Sequence, residues 1–147
     1  MSAGEITISH RMPVDSAVLW EELRHIDRHV QWMADAESIE FETDQREGVG
    51  TSFRCRTKIG PFVTVDRMTI TSWVERHEMG VTHQGLVTGV GTFTLLDGPD
   101  NTCDLTWREE LRFPWWALGP VGAFAARPVL RFVWRKNLQR LEGNITS

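Results

Sequence analysis

At 147 residues, 41% hydrophobic, 24% charged and with a net charge of −4, the chain reads as one globular domain spanning 1–147. It carries no basic stripe interleaved with aromatics, which argues against nucleic-acid binding, and no stretch near the roughly 20 apolar residues a spanning helix needs. Cys55 and Cys103 are its only cysteines, too few for a disulfide framework or a four-cysteine zinc site. They read as reduced, buried small hydrophobes. With no apolar signal core in MSAGEITISHRM, a cytoplasmic location is expected.

Along the chain, EITISHRM (Glu5 to Met12) alternates, with Ile6 and Ile8 on one face, and predicts a strand that Pro13 stops. Asp15 then reads as the N-cap of a helix over SAVLWEELRHI, and a second short helix or turn covers DRHVQWM. From residue 36 to about 113 the period becomes two. Strands are predicted over SIEFET, TSFRCRTKI, FVTVDRMTITSWV, MGVTHQ, LVTGVGTFTLL and TCDLTWREELRF, separated by EGVG, Gly60–Pro61, ERHE, Gln84–Gly85 and DGPDN. The uncharged segment FPWWALGPVGAFAA (Phe113 to Ala126) follows. A helix over RPVLRFVWRKNLQRLEG closes the chain, with Gly143 as its expected C-terminal cap and Pro128 predicting a kink or a late start. A strand, two short helices, a run of strands and a long helix predict an α+β fold with an antiparallel sheet covered by the last helix.

This order, carried by PVDSAVLWEEL, GVGTSFRCRTKIGPF, TITSWVE, GTFTLL and TWREEL, resembles the START-like or SRPBCC superfamily, and within it the polyketide cyclase/dehydrase group. The resemblance spans essentially the whole chain. It implies a helix-grip fold: a curved antiparallel sheet of six to seven strands wrapped around a long C-terminal helix. A cavity between them would hold a small, largely apolar molecule such as a lipid, a polyketide or an aromatic metabolite.

Strand alternation selects the side chains that would line that cavity. They are Phe53, Cys55, Phe62, Asp66, Met68, Met79, Val81, His83, Phe93, Leu105, Trp107 and Glu109, joined by Val129 and Val133 of the last helix. Gly89 and Gly91 on the same face leave room. Three of these side chains ionise: Asp66, His83 and Glu109. Buried without partners they would be costly, so they must pair, bond a ligand or reach water. A His beside a carboxylate is also what acid–base chemistry needs, which makes these three the candidate catalytic residues of the competing enzyme reading, a cyclase or dehydratase.

The resemblance places Trp32 and Met33 under the sheet or at the cavity mouth. It sets the segment carrying Trp115, Trp116, Leu118 and Phe124 at one end of the cavity, as mouth or lid. Plain packing is the alternative. A third is an exposed patch for a homodimer partner, another protein or a membrane surface. His25 and His29, four apart, would share a helix face at a spacing zinc sites use, but no third ligand is evident and a solvated surface pair is expected. There is no nucleophile elbow, phosphate loop or dinucleotide fingerprint. Neither a cofactor nor a metal is expected.

Overall fold

The computed structural model describes residues 4–147. Seven antiparallel strands form one curved sheet in the order β1-β7-β6-β5-β4-β3-β2. They are β1 (Glu5–Met12), β2 (Ala36–Phe41), β3 (Ser52–Ile59), β4 (Phe62–Val74), β5 (Glu78–Gln84), β6 (Thr88–Asp97) and β7 (Cys103–Arg112). Helix α1 (Ser16–Leu23) and a 3-10 helix (Ile26–Gln31) lie between β1 and β2; a short 3-10 helix (Trp115–Ala117) leads into α2 (Gly119–Thr146). Strands β2 to β7 are a meander, and β1 closes the sheet by pairing with β7 from Glu5↔Glu110 to Met12↔Cys103. This is the α+β arrangement that the element order predicts, and the helix-grip architecture that the resemblance implies.

Local chemistry explains the boundaries. Asp15 caps α1, its carboxylate accepting from the Val18 N–H at 3.1 Å. Helix α1 ends at Leu23, short of the expected Ile26, because the chain tightens into the 3-10 helix and buries Ile26. A register shift in β4 between Ile70 and Ser72 lets both Ile70 and Trp73 face inward, and Trp73 meets Trp20 edge-on at 5.2 Å. At the head of α2, Leu118 and Gly119 both have positive φ (66° and 47°), so the corner is made before Pro120 occupies the first turn.

Two helix expectations are corrected. Helix α2 starts at Gly119 and runs through Pro128 without a late start. It also continues past Gly143 to Thr146, because Ile145 still packs against the core and Glu142 still accepts from His10 Nε2 at 2.9 Å.

The core is two-layered. Helix α2 packs along β1 and β7 and touches α1. Its buried stripe is Ala123, Trp134, Asn137, Leu138 and Leu141, with Leu130 and Val133 half-buried beside it. Asn137 is fully buried; its Oδ1 accepts from the Ala34 N–H at 3.0 Å and its Nδ2 donates to Asp35 Oδ1 at 2.7 Å. That clamp fixes α2 to the turn before β2 and satisfies a polar side chain that burial would otherwise penalise.

Candidate functional site

The register resolves the concave face into rows running across the strands. One row is Ile8–Trp107–Phe93–Met79–Trp73. The next is Ile6–Glu109–Gly91–Val81–Ile70. The one after is Leu111–Gly89–His83–Met68–Phe53–Phe41. Beyond it lie Asp66, Cys55 and Ile39.

The first row is filled. Trp107 stacks on Trp134 of α2 at 4.9 Å and 17°. Phe93 meets Trp107 at 5.1 Å, and Trp32 lies 6.0 Å from Phe93 and 6.2 Å from Trp107. His29 joins the cluster 5.1 Å from Trp32. These rings are core. Trp107, Phe93, Met79 and, one row further, Leu105 are buried by neighbours rather than facing open volume. Trp32 is completely buried, so its assignment to a mouth is corrected; Met33 is half-buried against the same core. His29 is likewise no surface ligand: its ring donates to the Leu23 carbonyl at 2.8 Å, while His25 stands against Glu21 at 3.3 Å. Burial drives the His29 pKa down to about 4. Among the described residues no three His, Cys, Asp or Glu side chains gather as metal ligands.

The next two rows hold the polar group. His83 comes from β5 and Glu109 from β7, two strands apart, with β6 between them. Strand spacing is about 4.8 Å, so the two side chains must reach across β6, and β6 presents only Gly91 and Gly89 there. They meet over that bare backbone: His83 Nε2 donates to Glu109 Oε2 at 2.9 Å. Trp107 Nε1 donates to the other oxygen, Oε1, at 3.0 Å. A Cβ on Gly91 would overlap this carboxylate, standing 2.6 Å from Oε2. The glycine is therefore what lets the pair exist.

The ion pair is nearly dry, with side chains 12% (His83) and 7% (Glu109) exposed. Burial pulls the His83 pKa down, but the charge of Glu109, its hydrogen bond and the charge of Asp66 outweigh it, leaving the imidazole above its ordinary value. Asp66 is buried too; burial raises its pKa against the opposing effects of His83 and the Leu86 amide. Its Oδ1 lacks a hydrogen-bond partner and is pressed against Gly85. Three ionisable groups thus share one end of the concave face. The sequence placed all three inward but could not show that a glycine trough joins two of them.

Around this group the apolar lining is only half-buried at Met68, Val81 and Leu111, with Phe53 and Cys55 buried behind. The concave face is thus filled at its aromatic end and only partly covered at its polar end. Two surface hollows lie elsewhere: about 420 Å³ at Ala17, Val18, Glu21, Glu22 and Ile145, and about 170 Å³ at Ser38, Glu40, Arg54, Arg56 and Val65.

Other expected lining residues fall outside the polar end. Phe62 is 74% exposed, because it opens β4 at the hairpin tip where the sheet outruns the helix. Val129 is exposed on the outer side of α2, whereas Val133 is half-buried against the core. Trp115 (86%), Trp116, Leu118 and Phe124 stand in solvent, so plain packing of that segment is corrected. Trp134 and Asn137 were not singled out by sequence; only the phase of α2 could have found them. Cys55 and Cys103 are free and buried, and burial lifts both thiols to about 11. No helix among the described residues is long and apolar enough to cross a membrane.

The sequence matches no protein-family model and no curated protein. The structure is similar to several solved ones. A START superfamily protein from Mycobacterium smegmatis aligns with TM-score 0.76 and 11% identity over 97% of both chains. The Zhui aromatase/cyclase from a Streptomyces species aligns with TM-score 0.73 and 13% identity over 97% of this chain and 93% of that one. The di-domain aromatase/cyclase StfQ of steffimycin biosynthesis aligns with TM-score 0.78 and 12% identity over 95% of this chain and 49% of that one. The chain has the START-like fold. Identities this low carry the fold and nothing finer.

Proposed function

We propose that this protein binds a small, largely apolar molecule bearing one polar group, seated in a trough between the sheet and α2. The observation that carries the reading is the His83–Glu109 pair: two buried ionisable groups held at 2.9 Å at the partly covered end of an apolar surface. A structural ion pair in such a place adds little stability over an apolar replacement. A few convergent polar groups on apolar walls are what a small-molecule site requires. The ligand body rests on Met68, Val81 and Leu111, and its polar group meets the imidazolium. Native mass spectrometry of the purified protein tests this. An adduct of small-molecule mass is expected, and Val81→Trp, which fills the trough, removes it. Bare protein in the spectrum, together with no saturable binding of the apolar fluorophore anilinonaphthalene sulfonate, overturns the reading.

One observation favours a second reading. His83 lies within hydrogen-bond reach of a carboxylate that orients it, the arrangement a general acid–base needs. Two structurally similar proteins are aromatase/cyclases. On this reading the trough folds a reactive carbonyl chain, and His83 moves a proton at a carbon beside a carbonyl, with Glu109 holding the ring. Deuterium exchange at that carbon of a model β-ketone, followed by NMR, is expected to exceed background and to vanish in His83→Ala. Exchange at the background rate removes the enzyme reading and leaves ligand binding untouched.

A further inference from the structure

The first half of α2 is apolar on the side that faces away from the sheet. Val121, Phe124, Ala125, Pro128, Val129 and Phe132 recur at helical spacing and all are exposed. Trp115, Trp116 and Leu118, just ahead of the helix, are exposed as well. From Gly119 to Phe132 the helical part of this surface is about 20 Å long at helical rise. Isolated exposed hydrophobics are ordinary, but a contiguous strip preceded by two exposed tryptophans is an interaction surface.

Charge decides what it meets. Residues 111–141 contain Arg112, Arg127, Arg131, Arg135, Lys136 and Arg140, and no Asp or Glu. Of 16 Lys and Arg, six lie here, and all 20 Asp and Glu lie elsewhere, so the remaining chain is net −10. On the helix, exposed Arg135 borders the strip on one side and exposed Lys136 on the other, while Arg131, half-buried, donates to the Thr7 carbonyl at 3.0 Å. Lys136 lies 5.7 Å over the Phe132 ring and Arg127 lies 5.6 Å over that of Phe124. A second copy docked through the same face would bring no carboxylate to receive these cations. An anionic lipid surface supplies both halves of the match: acyl chains for the strip, and headgroup phosphates for its cationic border. Tryptophan suits that interface, because its ring is apolar and its N–H remains wet.

We infer that the Trp115–Phe132 strip with its border of Arg135 and Lys136 docks this protein on anionic phospholipid membranes, lying in the interface without crossing it. The inference does not depend on what the His83–Glu109 site binds.

Vesicle co-sedimentation with the whole protein tests this. One vesicle is pure phosphatidylcholine; the other is equal parts phosphatidylcholine and phosphatidylglycerol. Partition to the anionic vesicles is expected to be at least about tenfold stronger, from about 1 kcal/mol per cation at the surface, and to weaken in high salt. Trp115→Ala/Trp116→Ala is expected to lower binding by about tenfold or more through lost apolar insertion. Arg135→Glu/Lys136→Glu is expected to abolish the preference for anionic lipid. These side chains are exposed, so circular dichroism of both variants should match the parent. The salt and lipid dependence of the unmodified protein stands as a test even if a variant unfolds. No binding to anionic vesicles overturns the inference, as does equal binding to both lipids. So does a concentration-dependent dimer in ultracentrifugation that dissolves in the tryptophan variant while vesicle binding is absent.

Discussion

Replacing Glu109 with Gln should reverse the sign of the His83 perturbation. The substitution keeps the shape and an amide oxygen to accept from Trp107 Nε1, but removes the negative charge 2.9 Å from the imidazole. Two opposed effects act on His83: burial, which lowers its pKa, and the Glu109 charge and hydrogen bond, which raise it past balance. With the second gone, only the more distant Asp66 opposes burial. The His83 midpoint should then fall from above 6.5 to below it. A hydrogen bond to a charged partner is worth about 1.5–3 kcal/mol, so at neutral pH or below the variant should lose stability on that scale.

The stability profile carries the same sign. In the parent, the folded pKa exceeds the unfolded value, so the contribution of His83 is full below 6.5 and fades as pH rises through the higher folded value. In Glu109→Gln the folded pKa lies below 6.5, so His83 instead removes stability as pH falls below 6.5. Imidazole proton NMR across pH 5–9 reads the midpoint, and urea unfolding at each pH reads the stability. A variant in which His83 still titrates above 6.5 would refute the reasoning, because the charge of Glu109 would then not be what lifts it.

Gly91→Ala places a methyl against the Glu109 carboxylate; the carboxylate can swing aside, so stability should fall by only about 1–3 kcal/mol, while NMR shows the His83 midpoint dropping and binding of an apolar ligand weakening. Trp134→Ala empties the stack on Trp107 and should cost about 3–5 kcal/mol in chemical denaturation. Buried His29, ordinarily titrating near 6.5 and here at about 4, should withdraw roughly 3 kcal/mol as pH falls through that window, at about 1.4 kcal/mol per pH unit. His29→Gln, which keeps a donor for the Leu23 carbonyl, should flatten that part of the acid profile. An NMR midpoint for His29 near 6.5 would contradict its burial.

Much of the fold was legible because period alone sufficed. Ile6 and Ile8 alternate with polar residues and share the inner face, and Phe62–Val74 is read end to end as one strand. Where period was re-phased, the reading slipped. Along β4 the inward row holds from Asp66 to Ile70, then the register shift moves Trp73 inward against simple alternation. At the other end Phe62 keeps its phase yet lies in solvent, because inward on an overhanging hairpin faces nothing. Phase says which side of the sheet a residue takes; it does not say whether anything stands opposite.

The same distinction explains the site. Asp66, His83 and Glu109 were placed inward by counting, but their chemistry depends on what lies between them. A larger side chain at Gly91 would have kept the two members of the ion pair on their own strands. On α2 the difficulty is greater, because its first half is apolar on both sides. Hydrophobicity cannot say which side meets the sheet when Leu130 and Val133 on one and Val129 and Phe132 on the other are equally eligible. The phase is set further along, by Trp134 against Trp107 and by Asn137 against Asp35. The ring stack and the buried amide together fix the rotation of the helix, and with it which apolar side covers the core and which is turned outward. Rotated half a turn, α2 would bury Phe132 and expose Trp134. The pairing of Asn137 with the Ala34–Asp35 turn is incompatible with that alternative, since it would leave the turn amide without its acceptor.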